Sequence, residues 1–174
     1  MIKTNSLMVL MGVAGCGKSS VGAALAQTIE ATYIDGDDLH PASSVEKMSR
    51  GEALTDDDRW PWLAEVGRTL GSATSPTIIG CSALKRRYRE AITVAASAPV
   101  LFIHLSGTRQ VIEARMSARP GHFMPVSLLD SQFATLEPLA KDENALVVDI
   151  DRSLAEVVAK ILTTLTKKGS DVSA

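Results

Sequence analysis

Eight residues near the amino terminus, Gly12-Val13-Ala14-Gly15-Cys16-Gly17-Lys18-Ser19, match the spacing G-x-x-x-x-G-K-[ST] in full. Glycines at these places let the backbone wrap closely around an anion, with several N–H groups pointing inward at the start of a helix. Lys18 then reaches the β- and γ-phosphates of a nucleoside triphosphate, and the Ser19 hydroxyl ligates magnesium. Ser20, next in the chain, belongs to the same phosphate-binding turn. An apolar run precedes the motif and a helix-compatible segment follows, which is the context this chemistry needs.

A second group of reactive side chains is Asp35-Gly36-Asp37-Asp38, at the end of the next apolar run. Phosphoryl transfer to an alcohol needs a carboxylate that orients the hydroxyl and accepts its proton. It also needs an anionic group that holds magnesium, directly or through water. Carboxylates at i and i+2 can divide these tasks, with Asp35 toward the metal and Asp37 toward the acceptor. Asp149, which closes Ala145-Leu146-Val147-Val148-Asp149, is the alternative metal-linked acid. Spacing leaves both open.

These groups require a sheet that brings its strand ends together. Short apolar runs at 7–12, 32–35, 77–81, 100–105 and 145–149 alternate with helical periodicity at 17–30, 84–97, 108–118 and 153–167. That alternation predicts an α/β fold with a parallel sheet, and the near-continuous hydrophobics predict strands covered on both faces. Ser153 and Glu156 form a capping box before the stripe Leu154, Val157, Val158, Ile161, Leu162 and Leu165. The tail 168–174 is expected to fray. Two polar stretches break the alternation: about 37–62, a candidate substrate platform, and about 115–137, a candidate lid. Inserted segments at the carboxyl ends of strands are where an open α/β sheet binds ligands. Pro61 is expected to kink a helix or begin one. Trp60 and Trp62 read as packing residues, and His104, within a strand, as a core histidine.

Bulk properties narrow the class. At 174 residues the chain has the length of one domain, 1–174. A chain of this size buries roughly 70% of its unfolded surface without staples. A net charge of −2 with interspersed signs argues against nucleic acid or an anionic membrane as partner. Cys16 and Cys81 lack metal-ligand spacing and suit a reducing cytoplasm. The short apolar stretch after Lys3 is not expected to act as an export signal, because cleavage would destroy the phosphate motif.

Beyond these patterns the chain resembles the small P-loop gluconokinases, relatives of shikimate kinase. The resemblance rests on Asp35-Gly36-Asp37-Asp38-Leu39-His40-Pro41, Glu46-Lys47-Met48, Gly51 and Leu54-Thr55-Asp56-Asp57-Asp58-Arg59-Trp60-Pro61-Trp62-Leu63. It continues in Cys81-Ser82-Ala83-Leu84-Lys85-Arg86-Arg87-Tyr88-Arg89, Gly121-His122-Phe123-Met124 and Leu128-Leu129-Asp130-Ser131-Gln132-Phe133. Ser44, Ala53 and Pro120 depart from the pattern, the first where Asn is usual and the second where Pro is. The resemblance implies a P-loop kinase fold with sheet order 2-3-1-4-5 and a homodimer. It implies transfer of the ATP γ-phosphate to the 6-hydroxyl of D-gluconate, with magnesium as cofactor.

Gluconate carries a carboxylate at one end and hydroxyls along its length, so its site needs a cation and several hydrogen-bonding side chains. Arg59, Lys85 and Arg86 fit the cationic role, and His40 and Gln132 the hydroxyl role, with His122 added by the resemblance. Arg87 and Arg89 read as a solvated helical face. Arg115 and Arg119 lie one helical turn apart before Pro120-Gly121-His122. Such arginines can swing over the γ-phosphate as a lid closes, stabilising charge and excluding water. Arg119 is thereby a catalytic candidate alongside Lys18 and Asp37. The rivals are a kinase for another hydroxy acid, shikimate-like, and a non-catalytic ATP-binding regulator. A GTPase is disfavoured because no N-K-x-D motif occurs. Lys18→Ala should abolish acceptor-dependent ADP release with little change in thermal stability; near-normal turnover by the folded variant would refute the kinase reading.

Overall fold

The computed structural model describes residues 6–118 and 126–171. Five parallel strands, β1 (Leu7–Met11), β2 (Thr32–Asp35), β3 (Thr77–Gly80), β4 (Leu101–Ser106) and β5 (Ala145–Asp149), form one sheet in the order β2-β3-β1-β4-β5. The helices are α1 (Lys18–Ile29), α2 (Ala42–Ser49), α3 (Asp56–Gly71), α4 (Arg86–Ala96), α5 (Arg109–Ser117), α6 (Val126–Thr135) and α7 (Leu154–Asp171). The expected order and all five expected strands are present.

Alternation along β1 explains why the sheet is a two-sided core. Met8 and Leu10 enter one apolar cluster with Leu25 of α1, Ile103 of β4 and Ile161 of α7. Leu7, Val9 and Met11 enter the other, with Leu63, Val66 and Leu70 of α3 and Ile92 of α4. Each such fully buried aliphatic side chain contributes about 1.5–3 kcal/mol relative to exposure. The edges differ from the expectation of strands covered on both faces. In β5, Leu146 and Val148 are buried while Val147 is 58% exposed, so this strand is covered on one face only.

Three helices, α2, α3 and α6, are absent from the four that periodicity predicts. α3 starts at a capping box in which Thr55 and Asp58 exchange side-chain and backbone hydrogen bonds, and its first turn carries Asp56, Asp57 and Asp58. Carboxylates at that end complement the helix dipole. The helix runs through Pro61, which neither ends nor begins it. α7 has the expected capping box, with Ser153 N–H to Glu156 Oε2 at 2.8 Å and Glu156 N–H to Ser153 Oγ at 3.2 Å. It continues to Asp171, past the expected fraying point, and Leu154 lies outside its buried stripe at 44% exposure. His104 is a buried strand residue, as expected. No described helix is long and apolar enough to cross a membrane.

α3 and α4 approach closely because α3 presents glycines to its neighbour. A methyl group on Gly67 would lie 2.4 Å from the Ile92 carbonyl oxygen and 2.5 Å from Ala95 Cβ. Because one of these is backbone, the helices themselves must separate to admit it. Gly67→Ala should therefore destabilise the protein by about 1–3 kcal/mol in urea unfolding, as overpacking does, despite the better helix propensity of alanine. Unchanged or increased stability would refute this packing.

Candidate active site

The motif at residues 12–19 turns between β1 and α1 as expected. Gly15 and Gly17 have φ of +80° and +96°, a region that side-chain-bearing residues rarely adopt. A Cβ at Gly15 would also lie 2.6 Å from Met116 Cγ, so α5 packs directly on the loop. The Lys18 ammonium donates to the Gly12 and Val13 carbonyls at 2.9 and 3.2 Å. The Ala14 N–H donates to Gln132 Oε1 at 2.6 Å. The Gly12 N–H reaches the Ser82 carbonyl at 3.2 Å, which joins the loop to the end of β3. Arg115 stands beside the loop, its Nη1 3.5 Å from where a Gly17 Cβ would be. Its other guanidinium nitrogen donates to the Ile150 and Arg152 carbonyls. Arg119 and His122 lie outside the described residues.

The two aspartates leave β2 on a tight turn. Asp35 Oδ1 accepts the Asp37 N–H at 3.0 Å, and Trp62 Nε1 donates to the Gly36 carbonyl at 2.8 Å, pinning the turn to α3. The Asp37 side chain is 85% exposed, yet it stands between the walls of a cleft. Displacement of solvent by those walls, and then the Asp35 charge, raise its pKa above the ordinary carboxylate value, against the pull of His40 and Lys18. Ser19 shares a hydrogen bond with the Tyr33 hydroxyl, whose pKa is raised by burial and by Asp35 and Asp37. The Asp149 carboxylate instead accepts the Asp151 N–H at 2.9 Å on the far edge of the sheet.

These oxygens fit a magnesium ion that is shared with phosphate. Among the described residues no three Asp, Glu, His or Cys side chains gather to hold a metal alone. Magnesium with bound phosphates needs only one or two protein oxygens. Ser19, hydrogen-bonded to the Tyr33 hydroxyl, and Asp35, whose charge is felt at that hydroxyl, could supply that pair.

A cleft of about 520 Å³ opens beside the loop. Asp37, His40, Arg59, Trp62, Ser82, Tyr88 and Gln132 are among its walls. His40 stacks on Trp62 with ring centroids 4.1 Å apart, its Nε2 4.0 Å from Asp37 Oδ1 and its Nδ1 buried with no hydrogen-bond partner. Burial lowers its pKa, favouring the neutral ring that can accept as well as donate. Trp62 is thus both a packing residue, as expected, and a floor for the cleft. Ser44, the departure from the usual Asn, is buried within α2 and does not line the cleft.

The cations converge on one acid that sequence reasoning did not single out. Asp56 accepts from Arg87 and from the Tyr88 hydroxyl, and lies 3.4 Å from Arg59 and 3.9 Å from Lys85. The Tyr88 hydrogen bond, followed by the positive charges of Arg87, Lys85 and Arg59, holds its pKa below the ordinary value. Arg59 and Lys85 also lie 5.8 and 5.6 Å from the Tyr88 ring centroid. Tyr88 has a sequence signal in retrospect, three residues after Lys85 at the head of α4.

Two expectations in the basic run are corrected. Arg86 does not face this cleft: its guanidinium makes a two-pronged pair with Asp142 at 3.0 and 2.7 Å and a further bond to Glu90 at 2.9 Å. Arg89 is no solvated residue. It is 1% exposed and donates to Glu143, at 2.6 and 3.1 Å, and to the Ala83, Leu84 and Glu137 carbonyls. A buried guanidinium is tolerated only with partners of this number.

Comparison with known proteins identifies the family. A family model described as an AAA domain matches residues 7–139. The thermoresistant gluconokinase of Escherichia coli K12 is 43% identical over 165 residues, covering 92% of this chain and 94% of that protein. The gluconokinase of Gluconobacter oxydans is 40% identical over 158 residues, covering 89% and 88%. A crystal structure of a gluconokinase from Sinorhizobium meliloti 1021 superposes with a TM-score of 0.89 at 43% identity, covering 98% of this chain and 97% of that one. Shikimate kinase from Aquifex aeolicus, 15% identical with a TM-score of 0.58, shares the fold. With the phosphate loop, the paired aspartates and the cationic cleft in place over this extent of similarity, the chain belongs to the gluconokinase family of P-loop kinases.

Proposed function

We propose that the protein transfers the γ-phosphate of ATP to the 6-hydroxyl of D-gluconate, giving 6-phosphogluconate and ADP. The observation that carries this reading is the adjacency of a phosphate loop to a cleft whose walls include both a carboxylate, Asp37, and a cation, Arg59. Lys18 leaves the loop carbonyls for the β- and γ-phosphates. Arg115, together with Arg119, adds charge there and shields the site from water. Ser19 and Asp35 would hold magnesium, which supplies charge neutralisation at the phosphates when bound.

Asp37 orients the acceptor hydroxyl and takes its proton as the oxygen attacks. His40, in the cleft wall, serves another hydroxyl, and Gln132 and His122 serve the remaining polyol oxygens. At the opposite end Arg59, in the cleft wall, faces the substrate carboxylate, and Lys85, outside the lining but 3.9 Å from Asp56, adds its charge from behind. Asp56 holds these two cations in place without neutralising the group, because Arg59, Lys85 and Arg87 together outnumber it. A neutral acceptor would leave that excess positive charge unpaired. A smaller ring acid of the shikimate kind would satisfy the cations but leave polyol partners unused.

The raised pKa of Asp37 sets the acid limb of activity. The carboxylate is the active form, so kcat/KM should fall as pH drops through a value above that of an ordinary aspartate. Asp37→Asn should remove this limb and lower kcat roughly 10²–10⁴-fold, with ADP–magnesium affinity nearly unchanged; collapse of nucleotide affinity with preserved kcat would place Asp37 on the metal instead. For the carboxylate, kcat/KM is measured for gluconate and for sorbitol at saturating ATP–magnesium. A site built around a polar group can reject an analogue lacking it by up to about 10⁴-fold, and Arg59→Ala should lose much of that preference. Equal losses toward both acceptors would show that Arg59 serves structure or phosphate.

A further inference from the structure

His40 keeps one ring nitrogen in a dry place and turns the other toward Asp37. The ring stacks on Trp62 with centroids 4.1 Å apart and planes 16° apart, and Trp62 is itself bonded to the Gly36 carbonyl at 2.8 Å, so the plane of the imidazole is fixed. The His40 side chain is 5% exposed, and its Nδ1 is buried with no hydrogen-bond partner among the described residues. Its Nε2 lies 4.0 Å from Asp37 Oδ1, and both residues line the acceptor cleft. The ring proton belongs on Nε2 for two reasons. There it points a positive N–H at a carboxylate, whereas a bare Nε2 would set its lone pair against that negative charge. On Nδ1 the proton would be a buried donor without an acceptor, an orphan that folded proteins rarely keep. A doubly protonated ring would carry the same orphan and a charge that burial opposes. His40 therefore meets the cleft as a donor only.

The spacing of the pair fits two adjacent oxygens. At 4.0 Å, Nε2 and Oδ1 are too far apart to bond one another. Neighbouring hydroxyl oxygens of a polyol lie roughly 3 Å apart when gauche. One can thus meet Oδ1 while the next meets Nε2, each at ordinary hydrogen-bond length. The two ends are not interchangeable, because the hydroxyl on Asp37 must donate its proton and its neighbour must accept one.

We infer that His40 is a fixed hydrogen-bond donor, protonated at Nε2, that binds the oxygen on the carbon next to the one phosphorylated, so that with Asp37 it selects acceptors ending in a vicinal diol. The identity of that oxygen as the 5-hydroxyl rests on the gluconate reading; the place of the proton rests on the protein alone. An acceptor lacking the oxygen leaves the N–H unpaired and forfeits one net hydrogen bond, about 2- to 12-fold.

The place of the proton is read by ¹⁵N–¹H NMR of the histidine rings in the full chain at neutral pH, without ligands. The His40 signals are assigned by their loss in His40→Phe, which keeps a ring on Trp62, and in His40→Gln. The wild type should carry its proton on Nε2; a proton on Nδ1, or on both nitrogens, overturns the proposal. The diol is tested by kcat/KM for gluconate and for 5-deoxygluconate at saturating ATP–magnesium, with folding of each variant checked by thermal melting. The wild type should prefer gluconate by about 2- to 12-fold more than His40→Phe does, and His40→Gln, which retains an amide donor, should keep part of that preference. A residue that only packed on Trp62 would lower stability and leave the preference the same in all three proteins, a result that overturns the diol assignment. Absence of gluconate-dependent ADP release by the wild type would instead remove the gluconate reading and the diol with it, and the NMR measurement still decides whether His40 is a fixed donor.

Discussion

Backbone N–H groups can bind a phosphate strongly only if they are aimed before it arrives, and the aim of this loop depends on β1. That strand is held from both faces, with Met8 and Leu10 in one apolar cluster and Val9 and Met11 in the other. It is also flanked by β3 and β4, so it cannot shift without breaking both ladders. The loop leaves from its carboxyl end, and the Gly12–Ser82 bond ties it to the neighbouring strand end. Asp35 and Asp37 come from β2, one strand further out, and are positioned through β3 and through the Trp62–Gly36 hydrogen bond. The separation of the phosphate loop from the turn that carries Asp37 therefore starts from strand spacing, which is rigid, and is completed by the bonds that pin each turn.

The electrostatics of the cleft follow from placing unlike charges at its two ends. Near the loop, Asp35 and Asp37 repel one another, and that repulsion helps keep the Asp37 carboxylate basic. Toward the other end, Asp56 gathers Arg59, Lys85 and Arg87 into one group with net positive charge. A single acid among several cations is an efficient way to order long side chains that would otherwise lose rotamer freedom on binding. The cost is that the acid competes with an incoming carboxylate, and the Tyr88 hydrogen bond moderates this by sharing the Asp56 oxygen.

Strands were legible because short runs rich in apolar and β-branched residues, from Tyr33-Ile34 in β2 to Leu7–Met11 in β1, alternate with helical periods, and the phosphate loop because its glycines and lysine have fixed spacing. The order of the strands came through resemblance, since parallel order is not written in local pattern. α3 was hidden for a physical reason. Its first turn is acidic, Pro61 reads as a helix breaker although the helix runs through it, and two of its inward positions are glycines, Gly67 and Gly71, whose value lies in close approach to α4. The basic run at residues 85–89 shows the same limit. Identical charge at neighbouring positions gave no means of telling that Lys85 would approach Asp56, Arg86 would turn to Asp142 and Arg89 would be buried, because each fate depends on an acid distant in sequence.

The Arg89 pairing sets the mechanics of the neighbouring helix. Through Arg89, and through the Glu137 N–H bond to the Leu84 carbonyl at 2.8 Å, the chain just after α6 is fastened to the same loop that carries Lys85. Gln132 lies five residues before that fastening, a span of roughly 7 Å at helical rise. The part of the cleft wall that α6 supplies is thus anchored within about one and a half turns to the loop that carries Lys85. Losing the Glu143 partner would leave a buried guanidinium uncompensated, and the disturbance would reach the cleft through that short span although Glu143 itself stands outside it.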